Sequence, residues 1–234
     1  MGRWRYTSDL HFNHPFIAGL RGFSPYEGQN GRVRGNVEEH DAAIIEYFNA
    51  GIRSDDITVI AGDVAMNWKG AAAKVAQLQG IKILVWGNHD VMFGGERDAW
   101  KHQQEWLGEG KFHAIMAFMR RRSAGREFLV SHFPYEGDHT EHDRHTQYRL
   151  PDEGLWLLHG HTHSKEKQAP LEPQRCFFCG GDADTCGDHT PRVNRQLHIG
   201  VDAWGLRPVY EEQVIDLMNS QEKLHLDTGF AEQV

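Results

Sequence analysis

At 234 residues the chain has enough material for one sizeable domain or two small ones. With 39% hydrophobic and 25% charged residues, it reads as a soluble globular protein. A formal net charge of -8 argues against broad electrostatic adhesion to nucleic acid, and no run approaches the ~18 apolar residues that a membrane span needs. The N-terminus enters a strand with no charged-then-apolar signal segment. Three cysteines, an odd number, make no disulfide framework, so a reducing, cytoplasmic setting is expected. Histidine is the outlier: sixteen are present, clustered near the ends of the apolar runs described next.

In chain order, a first strand ends at Tyr6-Thr7-Ser8-Asp9-Leu10-His11, and residues 13–35, rich in Gly, Pro and Arg, read as a long loop. Asn36 is placed to cap a helix from Val37 to about Ala50, with Glu38 and Glu39 in its first turn, an apolar face of Ile44, Ile45 and Phe48, and Gly51 at its end. Ile57–Ala61 is a strand, Trp68 to about Leu78 an Ala-rich helix, and Ile81–Trp86 the next strand. This alternation predicts a parallel sheet with crossover helices. The second half changes character, with a hairpin of Phe112–Met119 and Arg126–Val130 around residues 122–125. Leu155–Leu158 and Gln196–Val201 are further strands, and Val209 to about Met218 mixes a short strand with a short helix. Residues 164–195 hold three prolines, a Gly-Gly pair and all three cysteines, and read as an insertion on a single domain spanning 1–234.

Five of the apolar runs end in residues able to bind a hard metal ion: Asp9-Leu10-His11, Gly62-Asp63, Gly87-Asn88-His89-Asp90, Ser131-His132 and His159-Gly160-His161-Thr162-His163. Each ligand thus leaves a strand where open α/β sheets gather their ligands. Singly these motifs are weak, since a lone Asp-x-His is usually solvated and a lone Gly-Asp is usually a turn. Imidazole, carboxylate and amide oxygen suit Mn, Fe, Zn or Co, and no thiolate in the motifs favours a softer ion.

Asp-x-His, Gly-Asp, Gly-Asn-His-Asp, a lone His and Gly-His-x-His, in that order over residues 4–163, resemble the signature of the calcineurin-like metallophosphoesterases. Gly200-Val201-Asp202-Ala203-Trp204 with Arg207-Pro208-Val209 resembles the tail of their small bacterial and phage phosphodiesterase branch. The resemblance implies an α/β fold, a four-layer α-β-β-α sandwich of two mixed sheets. It implies that Asp9, His11 and His163 hold one divalent ion, that Asn88, His132 and His161 hold another, and that Asp63 bridges the two, with Mn the first expectation. His89 would assist the leaving oxygen after metal-hydroxide attack on phosphorus, and Asp90 would orient its ring. His14 is a candidate for the substrate rim, His159 for a hydrogen-bonded structural role, and Asp202 either for support of a ligand histidine or for an ordinary turn.

Phosphoprotein phosphatases of this superfamily resemble Gly-Asp-x-x-Asp-Arg-Gly at the second motif, whereas this chain reads Gly62-Asp63-Val64-Ala65-Met66-Asn67-Trp68. A diester carries about one negative charge where a monoester carries up to two, so the missing Arg leans towards a small diester such as a 2′,3′- or 3′,5′-cyclic nucleotide. A nuclease is the runner-up, on Arg120-Arg121-Arg122 with Arg126 and on Arg32 and Arg34, though a solvated hairpin turn is the favoured reading given the acidic whole. A phosphomonoesterase and a non-catalytic scaffold of the same fold complete the alternatives. Cys176, Cys179, Cys186 and His189 form C-x2-C-x6-C-x2-H, which would hold a structural zinc or else carry free cysteines in a Gly-rich loop. Residues 134–151, with Asp138, His139, Glu141, His142, Asp143, Arg144 and His145, follow a ligand directly and form either a rim over the site or a solvated loop.

Overall fold

The computed structural model describes residues 2–140, 142–168 and 194–227, with side chains to residue 223. The protein is mixed α/β, built around two sheets. In the first, β1 (Trp4–Thr7), β4 (Ile57–Ile60), β5 (Ile81–Val85) and β6 (Ala114–Met116) run parallel, and β11 (Val209–Tyr210) closes the edge antiparallel to β1. In the second, β8 (Arg126–Val130), β9 (Trp156–His159) and β10 (Gln196–His198) are parallel and β7 (Met119–Ser123) is antiparallel to β8. A small ribbon, β2 (Tyr26–Glu27) with β3 (Val33–Arg34), lies apart.

The apolar runs are continuous because both faces of the first sheet are covered. Successive residues take opposite faces, so Ile60 and Leu84 join Ile44 and Phe48 of α2 (Val37–Asn49) and Ala71 and Val75 of α3 (Ala71–Val75) in one cluster. Their neighbours Val59 and Val85 join Phe128, Val130 and Leu158 in a second cluster between the sheets, where Tyr6 meets Phe128 edge-on at 5.9 Å. Val214, Ile215 and Met218 of α5 (Glu211–Asp227) belong to that same cluster. No described helix is long and apolar enough to cross a membrane.

The α2 helix begins as its composition predicts, with Asn36 Oδ1 accepting from Glu39 N at 3.2 Å. Four elements differ from expectation. Within 13–35, Pro15–Leu20 forms α1, started by proline at its first position. The helix expected over 68–78 shortens to a 3-10 turn at Trp68–Gly70 and α3, because Gly70 disfavours a continuous helix. The run 112–119 is not one hairpin arm: β6 pairs with β5, and the chain then crosses to the second sheet to begin β7. The C-terminal helix is longer than expected, its polar outer face hiding the period of Val214, Ile215 and Met218. One further helix, α4 (Ala99–Glu105), was not expected at all. Cys176, Cys179, Cys186 and His189, with most of the 164–195 insertion, lie outside the described residues.

Candidate metal centre

Both sheets carry candidate ligands on loops laced by backbone hydrogen bonds beyond the strand ends. Asp9 N donates to Gly62 O at 3.0 Å, His11 N to Asp63 O at 3.0 Å, and Gly160 N to His132 O at 3.0 Å. Asp9, His11, Asp63, His161 and His163 all have positive φ, between 50° and 69°, a conformation that costs non-glycine residues energy and persists only where surroundings enforce it. Gly62 (φ 84°) shows why no side chain stands there: a Cβ would lie 2.5 Å from Gly87 N and 2.6 Å from His132 Nδ1.

Asp9, His11 and His163 form one group of donors, and Asp9, Asp63 and His132 an overlapping one, each with donor atoms within 4.8 Å of one another. His163 Nδ1 donates to Asp202 at 3.0 Å, which leaves its Nε2 facing His11 Nε2, 3.2 Å away. His132 Nδ1 donates to Ala61 O at 2.8 Å, leaving its Nε2 lone pair 3.1 Å from Asn88 Oδ1 and 3.5 Å from Asp63 Oδ2. His161 Nε2 donates to Asp138 at 3.2 Å, which turns its Nδ1 lone pair to Asn88 Oδ1 at 3.0 Å. His11 Nε2 is 3.8 Å from Asp63 Oδ2, so Asp63 faces ligands of both halves. At His132 and His161 these are acceptors facing acceptors. The arrangement is repulsive by itself and becomes favourable around cations, and the nitrogen and oxygen donor set fits a divalent metal.

The electrostatics agree. Burial, with Asp9 alongside, pushes the Asp63 carboxyl up to about 8, and burial beside Asp63 pushes Asp90 up to about 7, as expected of carboxylates short of positive charge. Burial holds His161 down to about 3 and His11 well below the usual imidazole range, which keeps their lone pairs free. His163 differs: burial disfavours its charge, but Asp202 and Asp9 prevail and raise it.

His89 stands beside this group with its side chain 39% exposed and Nε2 4.0 Å from Asp63 Oδ2, while its backbone N–H donates to Asp63 Oδ1 at 2.9 Å. Asp90 does not orient the His89 ring. Its carboxylate instead accepts from the backbone N–H groups of Asp63, Val64 and Gly87, at 3.1, 2.9 and 2.7 Å, fixing the turns that present Asp63 and Asn88. A carboxylate next to three converging amides is held by them more readily than by a half-exposed ring. His14 caps α1 through Ile17 N and packs its ring 5.3 Å from His11, at the rim of the site. His159 is buried and donates to Gly160 O at 2.9 Å, the structural arrangement anticipated for it.

No family model matches the sequence. The chain is 36% identical over 226 residues to the gene 66 protein of Mycobacterium phage L5, covering 92% of this chain and 93% of that protein. The chain belongs to the mycobacteriophage gene 66 protein family. The gene 66 protein of Mycobacterium phage D29 is 31% identical, with 93% of this chain and 96% of that protein covered. The fold also resembles a crystal structure of a protein of unknown function from Aquifex aeolicus, at 20% identity and TM-score 0.59 over 93% of this chain and all of that one.

Several residues of this centre escape sequence reasoning. Arg21, at the end of α1, donates bidentately to Asp202 at 2.8 Å and also to Asp9 O (2.8 Å) and Leu10 O (3.3 Å), tying three segments together. Its Nη1 lies 3.0 Å from His40 Nε2, and His40 leads on to Asp41, which Lys74 and the Asn13 N–H also reach. Asp138, in the loop after β8, has a buried carboxylate shared by His161, His139, Arg144 and Arg149. Asp138, with His139, Arg144 and Arg149, therefore forms a wall of the site. His198 is buried with neither ring nitrogen hydrogen-bonded among the described residues, and its Nε2 is 3.9 Å from Asp9 Oδ2. Nothing in the spacing of Arg21 or His198 distinguishes them; Asp138 stood out only as one charge among many.

Proposed function

We propose that this chain is a metallophosphoesterase of the calcineurin-like superfamily, a single-domain four-layer α-β-β-α sandwich that uses two divalent cations to hydrolyse small phosphodiesters such as 2′,3′- or 3′,5′-cyclic nucleotides. The convergence of Asp9, His11 and His163, and the facing lone pairs of His132 and His161 with Asn88 and Asp63, carry this reading. Asp9, His11 and His163 would hold one cation, Asn88, His132 and His161 the other, and Asp63 both; Mn is the first choice, with Fe, Zn and Co suited to the same donors. When bound, such a pair supplies Lewis-acid polarisation of the phosphoryl group and a clamp for in-line displacement.

The rest follows from side chains in place. Asp202, Ala61 O and Asp138 fix the tautomers of His163, His132 and His161, so each offers the correct nitrogen. His89, half-exposed beside Asp63, is positioned to give a proton to the departing oxygen or to stabilise its charge. Preference for a diester is supported by the second motif, where no Arg follows Asp63. Arg144 lies on the wall of the site, but its guanidinium is paired with Asp138 at 3.0 Å and sits against the His139 ring, so little free charge remains to clamp a dianion.

Of the arginines that would favour a nuclease, the hairpin group is engaged: Arg120 and Arg122 pair with Glu127, Arg121 with Glu211, and Arg126 with Glu222. The test is turnover of a nitrophenyl diester and the matching monoester by metal-free protein reloaded with Mn. The expected result is faster diester cleavage that disappears in Asp63→Ala and falls sharply in His89→Ala. Faster monoester cleavage would overturn the diester assignment, and metal binding without any turnover would make the chain a scaffold.

A further inference from the structure

One cavity borders the centre and takes no part in the steps above. Its volume is about 460 Å³; Asn88 and His89 form the end nearest the ligands, and Met66, Trp68, Arg97 and His102 are among the residues of the remaining wall. We propose that this cavity is a nucleobase subsite, receiving the base of a mononucleotide diester whose phosphorus lies at the Asp63–His89 end. The proposal rests on the diesterase reading and adds the place where the base of such a substrate would sit.

Size is the first argument. Small-ligand sites run from about 300 to 1,000 Å³, so this space suits a nucleoside and is far larger than a bare phosphate or a methyl ester requires. Wall chemistry is the second. Trp68 supplies an indole, and Met66 keeps a thioether 49% exposed, an apolar and polarisable pair beside the reacting end of the site. Trp68 is held firmly: its Nε1–H donates to His89 O at 3.0 Å, and its ring meets Trp106 edge-on at 4.5 Å and 85°. The aromatic wall and His89 are thereby fixed to one another, so a base against Trp68 would register its phosphate against His89.

Charge selects among nucleotides. Glu96 and Asp98 share the wall with Arg97. Arg97 has no ion-pair partner among the described residues, while Asp98 pairs with Lys101 and His102 with Glu105. A polynucleotide would bring further phosphates towards those carboxylates with no stripe of cations to receive them, whereas a neutral base offers donor and acceptor edges that a mixed Glu–Arg wall can meet.

The experiment compares adenosine 2′,3′-cyclic phosphate with ribose 2′,3′-cyclic phosphate, which keeps the diester and lacks the base, on Mn-loaded protein. Base stacking is expected to favour the nucleotide in kcat/KM by about tenfold or more. Trp68→Ala, and independently Met66→Ala and Arg97→Glu at exposed positions that leave the core intact, should bring that ratio towards one, while Trp68→Phe keeps most of it. Calorimetric binding of adenosine 3′-monophosphate should weaken in the same variants. Equal turnover of the two compounds, or a ratio untouched by the variants, would overturn the subsite. Cleavage of the nitrophenyl diester without cleavage of either ribose compound removes the subsite and leaves the diesterase; cleavage of no diester removes both.

Discussion

The two halves of the centre use the same device, a carboxylate behind an imidazole, on very different foundations. His163 leans on Asp202, and Asp202 on Arg21, whose nearly buried guanidinium also grips the loop after β1 and touches His40 of α2. His161 leans on Asp138, whose other partners, His139, Arg144 and Arg149, all come from Asp138's own loop. One support is woven into distant parts of the fold, while the other is nearly self-contained. Local stability follows such connections, so the first half should stand ready before metal arrives and the second should open more easily.

The largest effect belongs to the residue both halves share. Asp63→Ala should remove metal from both and lower diester turnover on the order of a thousandfold, as expected for losing several kcal/mol of charge stabilisation; metal content and turnover measured together would check it. Next comes the woven support. Arg21→Ala leaves the largely buried Asp202 with only His163 against it, so it should cost about 3 kcal/mol in a denaturant titration as well as weakening metal binding. Asp138→Asn should lower affinity for one cation of the pair by about 10- to 100-fold with little change in global stability. Equal destabilisation by the Arg21 and Asp138 variants would erase the contrast between the halves.

The smallest effect lies outside the centre and serves as its control. Burial opposes the charge of Glu211, but Arg121, Ser123 and Tyr6 prevail and hold its carboxyl below the usual range. A carboxylate lowered in the folded state adds stability that is present above its unfolded value, about 4.3, and is lost as pH falls through the folded one. Glu211→Gln should therefore flatten the acid side of the stability–pH curve while leaving metal affinity as it was. Any change in metal affinity would mean that this edge of the sheet communicates with the centre.

What the residues disclosed beforehand was whatever is local. Asp9, His11, Asn88 and His161 follow short apolar strands directly, so strand, turn and ligand sit within a few positions of each other. The parallel order of β1, β4 and β5 was readable for the same reason, from strands alternating with helices. Arg21 and Asp138 act only because folding brings α1 against the loop after β1 and sets Asp138, in the loop after β8, against His161 in the loop after β9, contacts that no spacing reveals. The role expected of Asp90 was overtaken by three amides, Asp63, Val64 and Gly87, two of them supplied by a turn more than twenty residues away. The β6–β7 break was hidden because apolar residues line both sheets, and a run that changes sheets looks like one that does not.

The weave around Arg21 also sets an order of events during synthesis. The first half draws on positions 9, 21, 63, 163 and 202, and the bridge between Ser8 and Gly200 brings the early and late segments together. A nascent chain leaving the ribosome exposes Asp9 and His11 long before Asp202 exists to anchor their partner. The second half, by contrast, has its ligands and Asp138 by position 161. Any cation met early would therefore find only the looser half able to receive it, and the choice of metal at the tighter half waits until translation is nearly complete.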